Sequence, residues 1–250
     1  MDVTILGSGT AVPDSDRFPS GVLVRSGDQT VLIDIGPGTL RRLAAAGVGP
    51  DEVTAVLLTH YHTDHTADLP SLLFALRNPR YRGRPPLRVL GSAGLRTFVG
   101  HLTDAWPWLA PDGGYELTLE EISPGPHQLG DLLVTAVSIL HTPQSLAYRL
   151  EDQDGRVAAF SGDADVCEGL VEVAQGADLF VCEAAFPDSC RTPGHLTPSL
   201  AAEAAKQAGV RTLCLTHFYP ECEGHDLAAQ AGAVFDGQIV LATDLAQFAL

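Results

Sequence analysis

A chain of 250 residues, 45% hydrophobic and 18% charged, is long enough to bury a sizeable core without a disulfide scaffold, and one domain over residues 1–250 is expected. Its formal net charge of -16, with a single lysine (Lys206) and fourteen arginines, argues against a surface that grips long polyanions such as folded RNA through clustered cations. No run approaches the roughly 18 apolar residues of a membrane span, the start carries no basic or apolar targeting segment, and the five cysteines form no C-x-x-C pair, so a cytosolic protein with free thiols is expected.

Val3 to Leu6 reads as the first strand, and Gly21 to Arg25 and Thr30 to Ile35 as a hairpin turned at Ser26-Gly27-Asp28-Gln29. Gly38 to Ala46 has helical character, and the apolar run Val53 to Leu58 is the next strand. Directly after it comes Thr59-His60-Tyr61-His62-Thr63-Asp64-His65. The pattern H-x-H-x-D-H arises by chance roughly once per thousand chains of this length and composition, so a polar turn is a poor account of it. Imidazole and carboxylate together suit zinc or another borderline first-row ion. Alternate residues of an extended chain share a face, so His60 and His62 are expected to point one way. Asp64 and His65, where the chain turns into a helix, are expected to face a second point nearby. Two ions about 3.5 to 4 Å apart form the arrangement that clamps the attacking and leaving oxygens of a phosphoester.

Ala67 to Arg77 is apolar at helical spacing, Leu87 to Leu90 reads as a strand and Gly94 to Thr103 as a helix. Arg77, Arg80, Arg82, Arg84, Arg88 and Arg96 form a basic run with no acidic residue in it, readable as a solvated loop, a phosphate-facing rim or a dimer contact. From Tyr115 to Ala159 strands follow one another without helices. Alternation resumes through Val166 to Ala174, Leu179 to Cys182, Ser199 to Ala208, Thr212 to Leu215 and Ile239 to Leu241. Thr197 as N-cap, Pro198 at the first helical position and Gly209 as terminator bound the helix that His195 precedes, a position hospitable to an anion. Two strand-led blocks with helices outside predict an α+β fold, a four-layer αβ/βα sandwich of two face-to-face sheets, with active groups on loops along one edge.

Four more polar residues stand at strand ends: His141, Asp163, Glu183 and His217. Their repeated setting predicts that they gather at one rim. His101, His127 and His225 lack that setting and are read as surface or core histidines.

These features resemble the metallo-β-lactamase fold superfamily, in the branch that holds the tRNA 3′-processing endonuclease tRNase Z and small phosphodiesterases. The resemblance is carried by Leu6 to Thr10, Leu32 to Thr39, Thr59 to His65, His141 to Arg149, Ser161-Gly162-Asp163, Glu183 to Ala185, His195 to Thr197 and Leu215 to His217. It implies that His60, His62 and His141 bind one zinc, that Asp64, His65 and His217 bind a second, and that Asp163 bridges them. Manganese or iron would use the same ligands. Asp34 matches the acidic residue behind the ligands that fixes an imidazole tautomer. His195 and Glu183 match the pair that stabilises the phosphate and protonates the leaving oxygen, and Asp64 would orient the zinc-activated water.

One departure from tRNase Z sets the substrate expectation. Only 21 residues separate His141 from Asp163, enough for strands at Ser145 to Glu151 and Arg156 to Ser161 and a turn. The family's protruding tRNA-gripping arm is normally inserted there. Tyr219-Pro220 also differs from the usual Ser-Arg-Tyr continuation. A homodimeric phosphodiesterase of small cyclic nucleotides or cyclic ribose phosphates is therefore expected, with tRNA disfavoured. The rivals are a tRNA 3′ endonuclease, a lactone, β-lactam or thioester hydrolase, and a non-catalytic metal-binding member.

Overall fold

In the computed structural model, which describes residues 1–110 and 114–250, the β-branched opening runs form β1 (Asp2–Gly7), β2 (Gly21–Ser26) and β3 (Gln29–Ile33). Helix α1 (Thr39–Ala45), β4 (Ala55–Leu57), α2 (Thr63–Thr66), α3 (Leu69–Ala75), β5 (Leu87–Gly91), α4 (Leu95–Ala105) and β6 (Leu117–Glu121) complete the first half. The second half runs β7 (Gly125–Leu129), β8 (Leu132–Ser138), β9 (Leu146–Glu151), β10 (Val157–Phe160), α5 (Glu168–Ala174), β11 (Leu179–Glu183), α6 (Pro198–Ala208), β12 (Thr212–Thr216), α7 (Leu227–Gly232) and β13 (Gln238–Leu241). Strand β14 (Gln247–Ala249) returns to the first sheet.

Among the described residues the strands make two seven-stranded sheets, ordered β14-β1-β2-β3-β4-β5-β6 and β13-β12-β11-β10-β9-β8-β7. Each is antiparallel at one side and parallel at the other, changing over at β3 in the first and β10 in the second. Parallel neighbours need crossovers, and helices supply them. Val3, Ile5, Val24, Val31, Ile33 and Leu57 of the first sheet pack against Val134, Tyr148, Leu150, Ala158, Phe160 and Val181 of the second. The opposite faces are covered by α1, α3 and α4 on one side and by α5, α6 and α7 on the other. This is the four-layer α+β sandwich that the element pattern predicts.

Two hydrogen bonds join the layers next to the histidine cluster. Tyr148, fully buried on β9, donates its hydroxyl to the Leu58 carbonyl at 2.8 Å, and Leu146 donates its N–H to the Thr59 carbonyl at 2.9 Å. The loop that leaves β4 is thereby fastened to the second sheet, each bond contributing about 1 kcal/mol net.

Several local features differ from expectation. The helix predicted over 67–77 is the shorter α3, with Pro70 in its first turn, and a separate single turn, α2, precedes it within the ligand loop. Thr197 is the N-cap of α6 in extended conformation but makes no side-chain cap bond. Asp188, from the preceding loop, instead accepts from Ser199 N at 3.1 Å and from Ser199 Oγ at 2.5 Å. Helix α7 and strand β14 have no counterpart in the sequence reading. No helix among the described residues is long and apolar enough to cross a membrane.

Candidate metal centre and active site

The buried strand β4 ends at Leu57, and the chain splays into the loop that carries the first four donors. His60, His62, His141 and Asp163 converge in one group whose potential ligand atoms all lie within 4.8 Å of one another. Asp64, His65 and His217 form a second such group. Asp163 stands between them: Oδ2 is 3.8 Å from His60 Nε2, 3.8 Å from His141 Nε2 and 3.3 Å from His217 Nε2, while Oδ1 is 3.2 Å from His65 Nε2. The structure therefore brings together all seven side chains selected from the sequence, and a third group, Asp163, His195 and His217, places His195 among the potential donors as well.

Hydrogen bonds behind the rings fix which nitrogen faces inward. Asp34 accepts from Thr59 N at 2.8 Å and from Thr59 Oγ1 at 2.8 Å, and its Oδ2 lies 2.7 Å from His65 Nδ1. A carboxylate only accepts, so His65 holds a proton on Nδ1 and turns Nε2 inward. Burial would lower its pKa, but Asp163 and Asp34 outweigh burial and raise it well above the ordinary value, so a cation at Nε2 would take the place of a second proton. Thr59 has already given its one hydroxyl proton to Asp34. Its 3.0 Å contact with His60 Nδ1 must then be donated by the imidazole, leaving His60 Nε2 free. His141 Nδ1 donates to the Gly194 carbonyl at 2.8 Å, and His141 Nε2 lies 3.2 Å from His62 Nδ1. Two nitrogens bound to one tetrahedral zinc are separated by roughly 3.3 Å, so this spacing suits a shared cation.

The donor set also fits cations by what it lacks. His60 Nε2, His65 Nε2, Asp163 Oδ1 and both ring nitrogens of His217 are buried without a hydrogen-bond partner. At 3.2 Å, His65 Nε2 and Asp163 Oδ1 attract each other but are misaligned for a hydrogen bond. A cluster of orphaned buried lone pairs is costly unless an ion takes them. Burial, helped by the neighbouring His65, lowers the His60 pKa to about 2, so this ring stays neutral as a ligand must. Burial acts in the same direction on His62. At Asp163 burial alone would raise the pKa, but His217 and His65 overcome it and hold the carboxyl well below the usual range. Asp34 and His217 adopt φ of 59° and 61°, two of three non-glycine residues in the left-handed region among those described. Strain of this kind gathers where side chains must be aimed.

Beside the two groups stands the His195–Glu183 pair. Glu183 ends β11, fully buried, and its oxygens accept N–H groups of Ala164 at 2.6 Å, Ala185 at 3.3 Å and Leu196 at 3.2 Å. His195 Nδ1 donates to Glu183 Oε1 at 3.0 Å. Burial would lower the His195 pKa, but the hydrogen bond and charge of Glu183 outweigh it, and the imidazole holds its proton more firmly than a free one. Glu183 is pushed upward by burial against the opposing pull of His195. His195 lies with ring centroids 5.1 Å from His141 and 5.9 Å from His217.

The surroundings are small and partly aromatic. Phe186 and Tyr219 stack at 4.8 Å and 11°, and both meet the His195 ring edgewise at 5.8 and 6.0 Å. A cavity of about 420 Å³ opens beside Asp64, bounded by the loop from Thr10 to Pro19 and by Pro37 and Gly38. A larger groove of about 620 Å³ between α5 and α6 contains none of the donors. Strands β9 and β10 are joined by the five residues Asp152 to Arg156, so no arm rises between His141 and Asp163.

Three of the six arginines of the basic run are used within the fold. Arg77 donates to the carbonyls of Trp108 and Ala110, Arg84 to those of Asp51 and Val53, and Arg88 grips Glu120 through two bonds of 2.6 and 2.8 Å. His101, His127 and His225 belong to none of the donor groups. Thr59, Gly194, Phe186 and the aromatic role of Tyr219 were not foreseen. Only the adjacency of Thr59 to His60 hinted at the first of these.

Residues 29–218 match the family described as the Beta-lactamase superfamily domain. The chain is 33% identical to a protein named Ribonuclease Z from Mycolicibacterium gilvum over 276 aligned residues, covering 98% of this chain and 94% of the relative. It superposes on the metallo-beta-lactamase fold protein YhfI from Bacillus subtilis with a TM-score of 0.87 at 26% identity, over 99% of this chain and 98% of that one. Human tRNase Z, short form, gives a TM-score of 0.82 at 25% identity, over 100% and 99% of the two chains.

Proposed function

This chain belongs to the Beta-lactamase superfamily, and from that membership we propose a dinuclear zinc phosphodiesterase acting on small substrates, cyclic nucleotides or cyclic ribose phosphates. It is a metal-dependent hydrolase. The finer reading rests on one observation, the His195–Glu183 pair set against both donor groups. An alkoxide leaving a phosphodiester needs a proton, whereas the leaving groups of lactones and thioesters need one far less.

His60, His62, His141 and Asp163 would hold one ion, and Asp64, His65 and His217 with the shared Asp163 the other. Zinc bound there, or manganese or iron on the same ligands, supplies Lewis acidity toward the phosphoryl oxygens and lowers the pKa of an attacking water. Asp64 orients that water. His195, its Nδ1–H committed to Glu183, offers Nε2 to the departing oxygen, and Glu183 keeps the ring aimed and favours its charged form. The stacked Phe186 and Tyr219 give the organic part of the substrate a flat wall beside the acid.

Small substrate size is supported by the short β9–β10 connection, by a cavity of about 420 Å³ within the range of small-molecule sites, and by a net charge of -16. We read residues 1–250 as one hydrolase domain working in the cytosol as a homodimer, a state that sedimentation checks. The deciding experiment is turnover of a panel of 2′,3′-cyclic, 3′,5′-cyclic and linear phosphodiesters by the zinc-loaded protein. Cleavage of the small diesters, abolished in Asp64→Ala, supports the reading. Inertness toward all of them refutes it.

The second reading is a tRNA 3′ endonuclease, favoured by the Ribonuclease Z relative at 33% identity. Cleavage of precursor tRNA after the discriminator base, with steeply salt-dependent binding, would decide for it.

A further inference from the structure

Two residues beyond Asp163 lies an acid that belongs to neither donor group. Asp165 donates its backbone N–H to the Leu140 carbonyl at 2.6 Å, a bridge that holds it against the residue before His141. Its Oδ2 accepts the Gly194 N–H at 2.9 Å, and its Oδ1 accepts from Val166 N at 2.8 Å and from Arg191 Nη2 at 3.2 Å. Gly194 in turn accepts from His141 Nδ1 and precedes His195. The backbone of Gly194 has φ of 89°, and a Cβ there would stand 3.6 Å from His141 Nδ1. The side chain of Asp165 is only 17% exposed, whereas that of Arg191 is 56% exposed, so the Gly194 contact is the sheltered one.

We infer that Asp165 is a positioning residue that couples the two halves of the catalytic apparatus. Its backbone locates the strand end that carries His141, and its carboxylate locates the glycine whose carbonyl orients the His141 ring and whose successor is the acid His195. One side chain thereby sets the lone pair that His141 Nε2 turns toward a cation and the place of the proton donor. Partners of this kind behind a metal-binding imidazole change affinity by roughly 10- to 100-fold when removed.

The inference rests on the two-ion phosphodiesterase reading and is tested by a measurement that needs no turnover. Metal-free wild-type, Asp165→Ala, Asp165→Asn and Gly194→Ala proteins are titrated with zinc against a competing chelator, with circular dichroism and thermal melting as controls on folding. Asp165→Ala should weaken one of the two zinc equivalents about tenfold or more and leave the other unchanged. It should also lower kcat more than it raises KM. Asp165→Asn, which keeps an acceptor for Gly194, should lie between. Gly194→Ala carries the test if Asp165→Ala does not fold, and it should weaken the same equivalent. Arg191→Ala, which leaves the Gly194 bond in place, should bind both ions normally. Loss of both equivalents together, loss of neither, or a wild-type protein without two equivalents overturns the inference. A protein that binds two ions, shows the selective loss and cleaves no phosphodiester refutes the proposed function and leaves the positioning role of Asp165 standing.

Discussion

Asp34 Oδ2 lies 2.7 Å from His65 Nδ1, and both groups are buried. The same carboxylate takes the hydroxyl proton of Thr59, so one acid fixes the tautomer of His65 directly and that of His60 at one remove. Asp34→Ala should therefore weaken both zinc equivalents, by roughly 10- to 100-fold. Chelator-competition titration reads this, and unchanged affinity for both would remove Asp34 from the metal apparatus.

Chelation should abolish hydrolase activity and lower the melting temperature, because the buried nitrogens of His60, His65 and His217, which make no hydrogen bond, lose the cation that would engage them. A ligand at a hundred times its Kd stabilises the native state by about 2.7 kcal/mol per site. Elemental analysis of the native protein should find close to two ions per chain, and re-addition of zinc should restore both turnover and the melting temperature.

His195→Ala should slow cleavage of diesters with alkoxide leaving groups by roughly 10²- to 10⁴-fold. With p-nitrophenolate, which departs without a proton, the loss should be much smaller. Paired rates on the two substrate types measure the difference. An equal effect on both would mean that His195 does not act as the acid.

Gly36→Ala should be poorly tolerated, since the added Cβ would meet the Asp64 carbonyl oxygen at 2.0 Å and that of Ser20 at 2.8 Å. Backbone oxygens cannot rotate away, and overpacking of this kind costs about 1–3 kcal/mol. The melting temperature should fall and one metal equivalent should weaken, because Asp64 must shift.

Asp188 carries a pH prediction. Partial burial would raise its pKa, but the bonds from Ser199 outweigh this and lower it. A carboxylate depressed in the folded state contributes stability that is complete above its unfolded value of about 3.9 and is lost as pH falls through the lower folded value. Because the side chain is exposed, screening keeps the contribution below about 1 kcal/mol. Thermal melts from pH 6 down to pH 2 should show the acid-side decline flattened in Asp188→Asn, and parallel curves would dismiss the capping role.

The parts of the site that were legible in the sequence share a cause. His60, His62, Asp64 and His65 declare themselves by local spacing, and His141, Asp163, Glu183 and His217 by standing where buried strands stop. What escaped depends on contacts across the chain. Thr59 looks like any strand-end threonine until Asp34 is placed beneath it. The cap of α6 falls to Asp188 because Ser199 meets it in space, although Thr197 is the better local candidate. Helix α7 is short and rich in alanine, and β14 pairs through three residues, so neither has a periodicity to read. The arginine run was open to a surface role, yet Arg77, Arg84 and Arg88 are committed to carbonyls and Glu120.

The donors are divided between the two sheets: His60, His62, Asp64 and His65 follow β4, whereas His141, Asp163 and His217 follow β8, β10 and β12. Neither half alone can complete either group. On the proposed reading the reaction centre is a seam, and a chain that has folded only one side of it would be chemically silent. Hydrolysis would then begin only once both halves are formed and docked.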